Sequence, residues 1–267
     1  MHNLGQTRSS QQPNHLLLTP DTFVRTTLPG MSKCCAIVHA NPALGADFTQ
    51  YTAEFEKNGE LGPTPAQRFI FVLEGDLNLV VKEKAKGKVK GKKSKLGPRG
   101  YAYLPTGIEH SVIATKTSRA AVIEKRYQPL ASVQSPAVII SSEDEVISHP
   151  LGDDPALQVK CLLPDTMSHD FAVNTMVYQP GAALSMVEMH IMEHGLLMLE
   201  GSGIYRLGES WYPVTAGDFI WMAPWCPQWF GALGKRPAKY LIYKDWRRHP
   251  LEMPGTQSEA QPGAQST

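Results

Sequence analysis

A chain of 267 residues holds one large domain or two ordinary ones, and a hydrophobic fraction of 42% is enough for real cores. The formal net charge of +1 makes no general case for a nucleic-acid or membrane-surface partner, and it is unevenly spread: residues 82–95 carry eight lysines against one glutamate, leaving the remainder at −6. Cys34, Cys35, Cys161 and Cys226 have neither metal-finger spacing nor the density of a disulfide framework, so a reducing compartment is expected.

In chain order, residues 1–13 are polar and rich in Gln and Ser and read as a loose N-terminal segment. No apolar run of signal-peptide or membrane-span length follows, because Leu16 to Leu18 is too short. A cytoplasmic protein is the expectation, and the last residues Gln-Ser-Thr carry no retention or peroxisomal address. Residues 14–130 then contain short β-like stretches separated by turn residues, at 22–27, 36–39, 48–55, 68–73, 76–82, 101–104, 111–114 and 121–126. Such spacing predicts an all-β barrel or sandwich rather than alternating β and α units. His110 stands after the turn Pro105-Thr-Gly-Ile-Glu, yet the nearby polar candidates are Glu54, Glu56 and Gln67, with no imidazole among them. This half therefore reads as a barrel with a degenerate, metal-free site.

The lysines at 82, 84, 86, 88, 90 and 92 share parity, so an extended hairpin presents them on one face, with Gly87 and Gly91 as bends. Aromatic residues are absent from the run, which argues for a solvated tip rather than a nucleic-acid platform. Residues 131–150 read as a linker, in which Ser141-Ser-Glu-Asp-Glu can cap a short helix. Strand-like patterns resume over 157–163 and 171–178, so residues 151–250 form a second barrel resembling the first, and residues 251–267 read as a disordered tail.

The second half concentrates the chemistry. Glu188 and His190 stand two apart, so on a strand they project from one face, about 6.6 Å apart. His194 follows, then an apolar run to Gly201-Ser-Gly, and Pro224 and Pro227 bracket the connection that delivers Gln228. Each residue alone is more often structural. Jointly, a carboxylate, two imidazoles and an amide inside a barrel can bind a divalent cation, and the lack of thiolates points to Mn²⁺ or Fe²⁺ rather than structural zinc. On the stretch 239–244, Tyr240, Ile242 and Lys244 share a face, which turns a phenol and an ammonium inward; Tyr205 stands on a facing strand. An inward lysine in an apolar barrel needs an answering anion, such as a small carboxylate. Cys226 is placed to line the site, although a small buried hydrophobe is its ordinary role.

Gly181-x6-Glu188-x-His190-x3-His194-x6-Gly201 resembles the first motif of the cupin superfamily, and Gly217-x6-Pro224 through Gln228 resembles its second; Pro105 to His110 matches the end of a second motif in the first half. Two departures are specific, since Glu188-x-His190 stands for the usual His-x-His and Gln228 for the final His. That pattern resembles the (S)-ureidoglycine aminohydrolase family of two-barrel cupins. Further likeness lies in His15-Leu-Leu-Leu-Thr-Pro-Asp, Gly201-Ser-Gly-Ile-Tyr-Arg-Leu and Tyr240-Leu-Ile-Tyr-Lys-Asp, and it spans about residues 14–248.

The resemblance implies two tandem cupin (jelly-roll) barrels and a manganese-dependent release of ammonia from (S)-ureidoglycine in purine (allantoin) catabolism. It implies Glu188, His190, His194 and Gln228 as metal ligands and Tyr205, Tyr240 and Lys244 as substrate contacts, with Glu188 and Gln228 as further substrate-binding candidates. Glu188 and Lys244 are the catalytic candidates. It also implies a small-molecule substrate and leaves the endoplasmic reticulum open as a compartment. Sheet edges that need covering predict a homo-oligomer. Two rival classes stand beside this reading. A cupin dioxygenase using Fe²⁺ is normally built on three imidazoles, which Gln228 opposes; a non-catalytic storage or binding protein is opposed by the intact ligand set.

Overall fold

Period-two patterning is realised almost throughout the computed structural model, which describes residues 6–85 and 88–249. Among these residues the only helical segments are three single 3₁₀ turns, Pro20–Thr22, Pro42–Leu44 and Glu143–Glu145. The last is the short helix expected after Ser141-Ser142, and the Ser142 hydroxyl accepts a hydrogen bond from the Asp144 amide at 3.3 Å. Among the described residues all strand pairings are antiparallel, and they divide into two β units, one from Val24 to Glu145 and one that joins the residues up to Phe23 with those from Val146 onward. The expected residues 1–5, the lysine tip at 86–87 and the tail beyond 249 lie outside the described residues.

The first unit is organised by the 13-residue strand Thr49–Leu61. Its beginning pairs with Ser118–Lys125 and its end with His110–Ala114, while Met31–Ala40 runs along it with bulges near Lys33 and His39. A strand that turns from one set of neighbours to another closes a sheet into a barrel, and Asn58, at φ +63°, falls where the turn is made. Alternate residues fill the interior: Tyr51, Ala53, Phe55, Ile70, Val72, Leu79, Val112 and Val122 form one buried cluster. Leu77–Ala85 and Lys88–Leu96 form the expected hairpin, with Lys92, Lys93 and Lys95 exposed.

The second unit has an eight-stranded sheet facing a three-stranded one. In the large sheet the order is Ser10–Gln12, His15–Leu18, Phe219–Met222, His194–Glu200, Ala238–Asp245, Phe171–Tyr178, Asp154–Cys161 and His149–Leu151. In the small sheet it is Ser210–Thr215, Ser202–Leu207 and Gln228–Leu233. Between them Leu196, Met198, Ile220, Met222, Tyr205, Phe230, Tyr240 and Ile242 make a buried core, which also takes in Cys226.

Three boundaries differ from the sequence reading. Residues 14–18, assigned there to the first barrel, pair with Phe219–Met222 and belong to the second, because that strand's edge offers unpaired backbone groups about 200 residues downstream. The expected loose segment is anchored from residue 6 onward: Arg8 grips the fully buried Asp218 with two hydrogen bonds of 2.5 and 2.8 Å, and Ser10–Gln12 pairs with His15–Leu18. The expected linker 131–150 contributes Ile139–Ser142 to the first sheet and His149 and Pro150 to the second. No helix among the described residues is long and apolar enough to cross a membrane.

Candidate active site

Glu188 and His190 sit on an extended segment rather than a regular strand. Glu188 and Gln228 exchange two backbone hydrogen bonds of 2.8 Å, and the His190 carbonyl accepts from the Trp225 amide at 2.8 Å. Even so, the two-residue alternation survives. From Val187 onward, Val187 and Met189 are exposed, whereas Glu188 and His190 turn inward to line a cavity. His194 opens the strand His194–Glu200 opposite Lys244, and Gln228 opens Gln228–Leu233. The same cavity is lined by His194, Gln228, Tyr240 and Lys244, with Leu151, Met176, Leu184 and Ile242 as its apolar wall. Six of the seven residues named from the sequence therefore meet in one place. The seventh, Tyr205, reaches it indirectly by donating to Gln228 Oε1 at 3.4 Å.

The two imidazoles converge. His194 Nδ1 lies 3.2 Å from the Tyr243 carbonyl, to which it donates, so Nε2 is left with its lone pair. That lone pair faces His190 Nε2 at 3.3 Å, with the rings edge to face, and Gln228 Nε2 donates to the same His190 nitrogen at 2.9 Å. Burial, reinforced by the neighbouring cationic Lys244, holds His190 down to about 4. Burial first, then His190 and Lys244, holds His194 well below the usual imidazole range. Both rings are thus neutral near pH 7.

Two nitrogens each about 2.1 Å from one ion, at an angle between a right angle and a tetrahedral one, would be ~3.0–3.4 Å apart. The His190–His194 spacing of 3.3 Å fits that requirement, and turning the Gln228 amide over would present an oxygen to the same point. Glu188 lines the cavity without closing on the imidazoles, for among the described residues no three of His, Cys, Asp or Glu form a metal-holding cluster. Burial raises the Glu188 carboxyl above its usual range, and Lys244 opposes that rise. For Lys244 burial dominates in the other direction, lowering the ammonium, with Glu188 as the largest opposing influence.

Sequence reasoning missed Tyr178, whose hydroxyl lies 2.7 Å from that of Tyr240, and the apolar wall residues Leu151, Met176 and Leu184. Parity with Met176 along Phe171–Tyr178 was the available signal for Tyr178. Cys226 is buried in the core and does not line the cavity.

The corresponding place in the first barrel is filled by a side chain. Seven residues before the glycine that ends the strand stands His194 in one barrel and Arg68 in the other; His194 pairs across the sheet with Lys244, and Arg68 with Glu124. The Arg68 guanidinium bonds Glu124 at 2.6 and 2.8 Å, the Gly62 carbonyl at 2.6 Å and His110 Nε2 at 2.8 Å. His110, for which the sequence offered no imidazole partner, faces a fixed cation instead. Glu54 pairs with Arg25, Glu56 is exposed and Gln67 accepts from Tyr103, so none joins it.

The cupin domain family matches residues 174–243. The chain is 39% identical over 249 residues to the (S)-ureidoglycine aminohydrolase of Arabidopsis thaliana, covering 92% of this chain and 80% of that protein. It is 29% identical to the enzyme of the same name from Escherichia coli, covering 88% and 89%. A solved structure from Pseudomonas aeruginosa, described as a putative glyoxylate-induced protein, superposes with a TM-score of 0.79 at 30% identity over 93% of this chain and 94% of the other.

Proposed function

The chain belongs to the (S)-ureidoglycine aminohydrolase family, and on that premise we propose that it hydrolyses the C–N bond at the α-carbon of (S)-ureidoglycine in purine (allantoin) catabolism. Water replaces the amine on that carbon, giving (S)-ureidoglycolate and ammonia. The observation that carries the reading is one cavity lined by the converging imidazoles of His190 and His194, the Glu188 carboxyl and the buried Lys244.

The substrate bears a carboxylate, an amine and a ureido group on one carbon, so the site must orient three polar arms. Lys244 and Tyr240 are the donors for its anionic or carbonyl end, with the apolar wall of Met176, Leu184 and Ile242 keeping competing water away. Glu188, whose carboxyl is raised by burial, is suited to accept from the amine and to move a proton to the departing nitrogen. His190, His194, Gln228 and Glu188 would hold Mn²⁺, which when bound supplies Lewis-acid polarisation. With the Gln228 amide turned over to face the ion, the Tyr205 hydroxyl, which donates to Oε1 at 3.4 Å, would instead accept from Nε2.

The test is ammonia release from freshly made ureidoglycine by chain stripped of metal and then given Mn²⁺. Turnover is expected to return with the ion and to be lost in His190→Ala. No ammonia from the reloaded chain would overturn the reading. Assembly into a homo-oligomer belongs to the same proposal, since Ser10–Gln12 and His149–Leu151 end the second sheet at open edges; a monomer by light scattering would remove it.

A further inference from the structure

One buried hydroxyl beside the cavity is not accounted for by the roles above. Tyr178 ends the strand Phe171–Tyr178, and Tyr240 lies on the adjacent antiparallel strand, where Met176 is its direct partner and Tyr178 its diagonal neighbour. Diagonal neighbours on one sheet face lie within reach when both side chains are long. The two hydroxyls are 2.7 Å apart, and both residues are buried, at 0% and 2% exposure. Their rings are wedged in place: Tyr178 meets Phe230 edge to face at 4.9 Å, and Phe230 meets Tyr240 edge to face at 5.7 Å. Tyr240 lines the cavity, whereas Tyr178 does not.

A separation of 2.7 Å accommodates one proton, so one phenol donates and the other accepts. The direction follows from what each hydroxyl can reach. Tyr240 is the hydrogen-bond partner of the Tyr178 hydroxyl among the described residues, so a Tyr178 that accepted would leave its own proton buried without an acceptor. An unmet buried donor costs about 1–3 kcal/mol. With Tyr178 donating, its proton is satisfied, and the Tyr240 proton turns toward the cavity, where a ligand oxygen can take it.

We propose that Tyr178 is a positioning residue: it commits Tyr240 to donating into the cavity, toward the subsite for the substrate oxyanion already assigned to Tyr240 and Lys244. The inference rests on the aminohydrolase reading for the identity of that substrate. Its geometry is independent of the reaction, because a hydroxyl fixed as donor selects a carboxylate or carbonyl oxygen over an amine. A protonated amine at this subsite would be repelled by the Lys244 ammonium and would face the Tyr240 proton.

The experiment is a double-mutant cycle on Tyr178→Phe, Tyr240→Phe and both together, each of which keeps the ring packing against Phe230. Losing a neutral hydrogen bond is worth about 2- to 12-fold. Tyr178→Phe is therefore expected to raise KM for ureidoglycine by that factor with little change in kcat. In the Tyr240→Phe background the same substitution is expected to do nothing. A merely structural Tyr178 would lower the unfolding midpoint and leave KM and glycolate affinity unchanged in the Tyr240 background, and that result, or an equal rise in KM in both backgrounds, overturns the proposal. Calorimetric titration of the four proteins with glycolate reads the same coupling without turnover. If ureidoglycine is not a substrate, the cycle on glycolate affinity still decides the point: coupling of 2- to 12-fold supports the subsite, while equal losses or no glycolate binding by the wild type refutes it.

Discussion

Lys244→Met separates what the site needs from what the fold needs. The lysine is 7% exposed and stands opposite His194 in the sheet, its charge answered chiefly by Glu188. Methionine keeps the length of the stem and removes the ammonium, and a volume-conserving exchange of this kind costs a core under about 1.5 kcal/mol. A hydrogen bond to a charged group contributes ~1.5–3 kcal/mol. Lost from the substrate's anionic end, and with about 1.4 kcal/mol for each factor of ten, this becomes a fall of ~10- to 150-fold in kcat/KM. Stability moves differently, because a buried ammonium is costly to desolvate and its loss offsets whatever the attraction of the Glu188 charge contributed. The midpoint of urea unfolding, followed by tryptophan fluorescence, is therefore expected to stay level or rise while ammonia release collapses. A kcat/KM within threefold of the wild type would refute the assignment, as would a loss of activity that tracks loss of folded protein.

Two further outcomes concern the first barrel. Arg68→Met leaves Glu124 with only the Tyr51 and Thr64 hydroxyls at 2.9 and 3.3 Å, and removing one partner of a buried pair costs ~3–5 kcal/mol. With Glu124 partly exposed, the low end is expected in chemical denaturation, with part regained by adding Glu124→Gln; a loss below about 1 kcal/mol would contradict the ion-pair account. His39 is held to about 3 by burial, and His110 to about 4 by burial with Arg68 adding to it. The unfolded chain, with imidazoles near their ordinary 6.5, binds protons that the folded chain does not, so this stability is complete above that pH and is lost as the pH falls toward 4. Each histidine gives a slope of about 1.4 kcal/mol per pH unit in that window. Unfolding free energies that stay flat between pH 7 and 5 would show that these rings are not buried neutral.

Much of the site was legible in the linear chain because β-structure has a period of two. Glu188 with His190, and Tyr240 with Lys244, share a face whatever the strands do next, and glycines at 201 and 217 mark the turns that end or begin them. The same reasoning identified two barrels and the loss of imidazoles in the first. It did not see Arg68 as the group that fills the first barrel's site, since an arginine at the start of a strand ordinarily faces water. Only the packing against Glu124 and His110 makes it internal.

Local chemistry along the chain thus settled which side chains face inward together, because side-chain direction within a strand is set by neighbouring φ and ψ alone. Which strands lie side by side was decided by the tertiary structure. The pairing of His15–Leu18 with Phe219–Met222, and of Tyr178 with Tyr240 across 62 residues, carries no local signature: register between distant strands is selected by shared core packing and by the need to satisfy an otherwise unpaired edge.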